Sequence, residues 1–307
     1  MRFAMNKTSR LESRLLQISV WGALFVTVLG LFWGLAIKSS VILFDGIYSG
    51  VSIFLSILSI VALWMVNRPH DNTFQFGRVA LEPLIVSLKA IVIIGVCIYG
   101  VVTALVLILD GGNTATSSLS GMLYALISML TCLVVWLYLK SKGADLPDLV
   151  QAESEQWMAD LVFSTVVLAS FCLSFGLSYT DWHAIVPYID PGMVVAASVF
   201  FIRVPVSRLV YSVRELLMMA PSEDLQEDLR TRIDAVAANH RLPNAVIRMA
   251  KVGRELAVDI TFITPNDFGP VDIGELDNVR EELYGSLSEA GFKLYMNIVF
   301  TKERRWA

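Results

Sequence analysis

Carboxylates are rare inside apolar sequence, and this chain places two of them one helical turn from a second oxygen donor. Asp45 and Ser49 occur in Leu43-Phe44-Asp45-Gly46-Ile47-Tyr48-Ser49-Gly50, and Gln156 and Asp160 in Gln156-Trp157-Met158-Ala159-Asp160. At i, i+4 spacing each pair shares one face of a helix. Together they supply two carboxylates, one amide oxygen and one hydroxyl, a set able to replace water around a hard or borderline divalent cation. Taken singly, Ser49 reads as a hydroxyl back-bonded to its own helix and Gln156 as an interfacial amide. Two aspartates, each with an oxygen donor one turn away in apolar surroundings, read as a cation site.

The elements that must position these residues are membrane helices. Of 307 residues, 55% are hydrophobic and only 17% charged, with a net charge of −4 and a mean hydropathy of +0.63. Soluble domains carry about a quarter charged residues, so this composition excludes an ordinary soluble enzyme, a disordered chain and a disulfide-built secreted module. Apolar stretches long enough to cross about 30 Å of hydrocarbon run roughly over 15–37, 39–66, 79–109, 117–139, 157–179 and 186–209. The first is too long for a signal peptide and lacks a small-residue cleavage site before Lys38, so it is expected to be retained.

If the second helix enters at about Ser39, Asp45 lies about 9 Å deep and Ser49 about 15 Å deep. A fifth helix that begins within the acidic segment Asp145–Glu155 carries Asp160 about 15 Å in from the opposite side. The two pairs are then expected to meet near the midplane.

Lys and Arg set the orientation, because short loops rich in them stay in the cytoplasm. One side collects Arg2, Lys7, Arg10, Arg14, Arg68, Arg78, Lys140, Lys142, Arg203, Arg208 and Arg214, and the other has Lys38 with Asp110, Asp181 and Asp190. Both termini are expected in the cytoplasm of a multi-pass protein. The lack of a presequence points to a bacterial inner membrane.

Hydropathy stops after Leu217-Met218, and Pro221-Ser222-Glu223-Asp224 starts a helix with acidic first-turn residues. Helical periodicity over 222–239, strands over Ala245–Lys251 and Glu255–Thr264, a helix over Asp272–Ala290 with Asp272 and Glu275 at capping-box spacing, and a strand over Lys293–Thr301 give the order αββαβ. The expected product is a small α+β domain with both helices on one face of a three-stranded sheet. The division expected is 1–14 as a cytoplasmic segment, 15–217 as a six-helix transmembrane domain and 218–307 as a cytoplasmic αββαβ domain.

Cys97, Cys132 and Cys172 fall in apolar runs and read as packed or lipid-facing thiols. No basic run is long enough to follow a phosphate backbone, so nucleic acid is not expected as a partner. No nucleophile elbow, phosphate-binding glycine loop or helix-borne His-Glu-x-x-His occurs, so no enzyme and no permanently bound cofactor are expected. Lys89, seven residues beyond Glu82 in the third span, is an isolated base: a counter-ion to Asp45 or Asp160, or a snorkelling side chain, with Glu82 as a partner only through a bridge.

The six spans, the Asp pattern in the second and fifth, and the αββαβ tail resemble the cation diffusion facilitator, or cation efflux, family. The loop Pro69-His70-Asp71-Asn72-Thr73-Phe74-Gln75-Phe76-Gly77-Arg78, with Glu82 following Gly77 by five residues, is similar to that family's connection between helices two and three. The resemblance implies a homodimeric transporter in the lipid bilayer, moving a divalent metal ion out of the cytoplasm against inward proton flow, with the metallochaperone-like tail as its dimerisation unit.

Two positions depart from the family pattern. Ser49 stands where an aspartate is usual in helix two, and Gln156 where His or Asp is usual in helix five. Without an imidazole the site tilts from Zn²⁺ towards Mn²⁺, Fe²⁺, Co²⁺ or Mg²⁺, and any proton exchange falls to Asp45 or Asp160. Asp71 remains from the family's loop site, whose histidine positions hold Phe74 and Arg78, and the tail contains only His240. Asp71, Glu82 and Lys89 are therefore expected as charge partners or gating residues rather than ligands. A transport-silent membrane scaffold or metal sensor on the same fold is the alternative.

Overall fold

The computed structural model describes residues 7–36, 40–68, 71–112, 119–143, 148–177, 183–243, 245–264 and 272–307. Lys38, His70 and Asp181 lie outside these, and of Asp45 and Asp190 only the backbone is described. The chain divides into two compact units, Met1–Val210 and Tyr211–Ala307.

The first unit is helical: α1 (Lys7–Ala36), α2 (Ser40–Val66), α3 (Leu81–Leu109), α4 (Leu119–Gly143), α5 (Asp148–Leu177), α6 (Val186–Phe201) and α7 (Arg203–Leu216), which crosses into the second unit. A helix is forced on such apolar sequence because lipid offers its backbone no hydrogen-bond partner. The large apolar side chains point outward, as with Trp21, Phe25 and Phe32 of α1 and Ile91, Ile98 and Val102 of α3. The small and polar Ser52, Ser56, Ser59 and Ala62 of α2 are buried. That inside-out distribution suits helices packed through small residues in an apolar solvent.

Among the described residues, Arg10–Ala36, α3, Leu119–Lys142 and Val186–Leu216 are long and apolar enough to cross a membrane. For α2 the apolar stretch described is Ser52–Val66, and α5 opens with the charged turns Asp148 to Glu155 before its apolar run. The helix expected to finish near 209 continues to Leu216, interrupted at Ile202. Pro205 explains the interruption, since it has no N–H for the Phe201 carbonyl. The α7 end is a Schellman turn: Met218, at φ +53°, donates to the Glu215 carbonyl and Met219 to that of Arg214.

In the second unit, α8 (Glu223–Asn239), β1 (Ala245–Val252), β2 (Glu255–Ile263), α9 (Ile273–Ser288) and β3 (Lys293–Thr301) form a sheet in the order β1-β2-β3 with two helices. β1 and β2 are antiparallel around Gly253, and β2 and β3 are parallel, so that Ile247, Ile260 and Ile298 are in register. Period-two alternation puts Leu256, Val258, Ile260 and Phe262 on one face. They share a core with Leu229 and Ile233 of α8 and Leu283 and Leu287 of α9, so both helices cover that face. The expected capping box does not form: Asp272 is the N-cap residue of α9 but its side chain makes no cap hydrogen bond. The Glu275 N–H donates instead to the Asp272 backbone carbonyl at 3.1 Å, which removes the donor the carboxylate would have used.

Candidate cation site

The polar stripe of α5 begins earlier than its apolar run. Glu153, Gln156 and Asp160 follow one another at i, i+3 and i+7, on one face of the helix. Glu153 is wholly buried, Gln156 is buried and Asp160 is half-buried. Glu153 Oε2 accepts hydrogen bonds from the Ser19 hydroxyl of α1 and, at 2.9 Å, from the Ser56 hydroxyl of α2. Its Oε1 is paired with the ammonium of Lys89 from α3. The Trp157 indole N–H completes the cluster by donating to Ser19 Oγ at 2.7 Å. One carboxylate thus joins four helices.

Helix directions follow from the same contacts. Ser19 meets Glu153, and three residues on, Gly22 lies against the Trp157 ring, so α1 and α5 run parallel. Ser19 also meets Ser56 at 3.3 Å across the α1–α2 hairpin, which makes α2 antiparallel to α5. The Ser56–Glu153 bond then fixes their register. Two turns along, about 10.5 Å away, the same faces carry Ser49 on α2 and Asp160 on α5, with Gln156 between Glu153 and Asp160 along α5 and the backbone of Asp45 one turn beyond Ser49. From the helix starts at Ser40 and Asp148, Ser49 lies about 13.5 Å in and Asp160 about 18 Å in.

Ser49 is buried. Gln156 Oε1 is buried and accepts no hydrogen bond among the described residues. An orphaned amide oxygen inside a bundle is costly unless something else fills its lone pairs, which is chemistry that a cation is able to supply. Among the described residues no three His, Cys, Asp or Glu side chains converge on a point.

The remaining candidates take other places. Glu82 is fully buried in the first turn of α3. Asp71 Oδ1 accepts the N–H groups of Phe74, at 2.8 Å, and Thr73, at 3.0 Å, while Oδ2 pairs with Arg78. The Phe74 N–H first, and the Arg78 guanidinium next, hold the Asp71 carboxyl below the usual carboxylate range. The Arg78 guanidinium also lies 4.4 Å from the Phe74 ring centre, so the residues at the family's histidine positions fasten the loop. Lys89 meets Glu153, a residue sequence reasoning passed over. Its signal was the spacing Glu153-x-x-Gln156-x-x-x-Asp160, matched on α2 by Ser49, Ser52, Ser56 and Ser59. Glu155, on another face of α5, bonds Arg208 of α7 at 2.6 Å, beside Gln151 at 2.8 Å and Asp148 at 3.7 Å.

Residues 16–217, which contain all four candidate ligands, match the cation efflux transmembrane domain. The chain belongs to the cation efflux family. As a cation efflux protein it is an integral membrane protein of a family of metal-cation transporters. The match ends at the last turn of α7, so the αββαβ unit of this cation efflux protein lies beyond it. None of the curated proteins matches the chain significantly.

Proposed function

We propose that this cation efflux protein exports a divalent metal ion from the cytoplasm in exchange for protons, binding it midway across the membrane between α2 and α5. Asp45 and Asp160 supply the charge, and Ser49 and Gln156 complete an all-oxygen shell. What supports this reading is the register of the Ser56–Glu153 hydrogen bond, from which helical arithmetic brings Ser49 and Asp160 to one level two turns along, together with the unfilled Gln156 oxygen one turn before Asp160 on α5. Hard or borderline ions such as Mn²⁺, Fe²⁺, Co²⁺ or Mg²⁺ suit such a shell better than Zn²⁺, whose sites favour nitrogen and sulfur. Carriers place their sites at mid-membrane where two helix bundles move against one another, and six crossings with both termini in the cytoplasm, in a homodimer joined through the αββαβ units, give such a bundle.

The test is the purified protein in liposomes enclosing a pH-sensitive dye, challenged with each metal in turn. A metal-dependent pH change in the wild type that Asp45→Ala and Asp160→Ala abolish is the expected result. Silence with every ion, with no metal uptake, would favour a scaffold or sensor on the same fold.

A further inference from the structure

Coordination of metal beside Asp160 leaves the Lys89–Glu153 pair unexplained. The two side chains are 1% and 0% exposed, and a buried ion pair is a poor source of stability compared with packed apolar residues. The ammonium has three N–H donors, yet among the described residues Glu153 is its only acceptor. The other oxygen of the same carboxylate, Glu153 Oε2, accepts from two hydroxyls, those of Ser19 and Ser56.

Without the lysine this cluster is one negative charge with two hydroxyl oxygens in a dry interior, the donor chemistry that hard cations take. Its charge of one matches a monovalent ion, whereas a divalent ion would leave an uncompensated positive charge in a low-dielectric medium. A crevice bounded by α3, α5 and α7, with Glu155, Pro205 and Arg208 on its walls, reaches Lys89 from the side.

We propose that the Glu153 cluster is a monovalent-cation site whose resident ion is the protein's own Lys89 ammonium, and that a free alkali cation takes its place once that charge is removed. A tethered ion loses no translational freedom on binding, so free cations do not displace it. Lys89 thereby closes the Glu153 level of the α5 stripe to free ions and leaves the Asp160 level as the one open to exchange. The inference concerns ion occupancy alone and stands or falls independently of metal transport.

The test is thermal unfolding of the full-length protein in detergent, in sodium chloride and in N-methylglucamine chloride at equal ionic strength, the organic cation being too large for the cluster. Wild type should melt alike in both. Lys89→Met should gain about 5 °C or more in sodium, saturably, and Lys89→Met/Glu153→Gln should again be indifferent. Lys89→Gln, which keeps a hydrogen-bond donor, repeats the comparison with less disturbance of packing. Equal responses in wild type and Lys89→Met, or an equal sodium response in the double variant, would overturn the proposal. So would failure of both single variants to fold in sodium, because a free ion able to replace the ammonium must restore the cluster.

Discussion

Ser56 of α2 and Glu153 of α5 are joined by a 2.9 Å hydrogen bond that lies two helical turns from both Ser49 and Asp160. Because the two helices run antiparallel, helical arithmetic from that bond brings Ser49 and Asp160 to the same level. The proposed cation site and the Lys89 cluster are thus two levels of one polar stripe along α5.

Removing one partner of the inner pair leaves a buried charge. In sodium-free medium Glu153→Leu should lower stability by about 3–5 kcal/mol, and Lys89→Met/Glu153→Leu should recover most of the loss, since an apolar pair of similar volume replaces a buried ion pair at little cost. Detergent melting curves of the three proteins check this.

Gly22 packs α1 against Trp157 of α5 and Val135 of α4. A Cβ there would stand 3.0 Å from the Trp157 ring and 3.1 Å from Val135. Gly22→Ala requires a small adjustment, while Gly22→Val should cost about 1–3 kcal/mol by overpacking and displace the indole from Ser19. Melting temperature and the emission maximum of Trp157, in a background lacking the other tryptophans, report the two effects.

Gln156→His tests the reading of the metal preference. An imidazole adds the nitrogen ligand that zinc favours and a group that titrates near neutrality. The variant should raise zinc transport relative to manganese about tenfold or more, and transport should gain a pH dependence near 6–7. An unchanged metal ratio would show that Gln156 does not contact the ion.

The Asp71 loop has a defined acid limit. Its carboxyl is held below the ordinary value by the Phe74 N–H and Arg78, so the stability it adds is present above the unfolded carboxylate pKa of about 3.9 and disappears as pH falls through the lower folded value. The difference in melting temperature between wild type and Asp71→Asn should be constant from about pH 5 to 8, begin to shrink near about pH 4, and vanish only at the still lower pH where the folded carboxyl is itself protonated.

Helix positions and the αββαβ order were legible because hydropathy runs and alternation report burial directly. The tail's core residues Val258, Ile260 and Phe262 follow that alternation along β2. The partner of Lys89 was not legible. Glu153 sits in the charged turns that precede the α5 apolar run, where composition resembles a loop, and only the three-dimensional convergence of Ser19, Ser56 and Lys89 shows it buried. Asp272 misled in the opposite sense: its spacing to Glu275 fits a capping box, but a backbone carbonyl took the donor. Local spacing identifies what a side chain is able to bond, and packing decides what it does bond.

The most direct test of the central claim is uptake of Mn²⁺, Fe²⁺, Co²⁺, Mg²⁺ and Zn²⁺ into proteoliposomes by wild type and by single alanine variants at Asp45, Ser49, Gln156 and Asp160. Loss of flux in Asp45→Ala and Asp160→Ala, with about a tenfold weakening of metal affinity in Ser49→Ala and Gln156→Ala from the loss of one ligand each, is the predicted result. Wild-type flux in Asp160→Ala would contradict it.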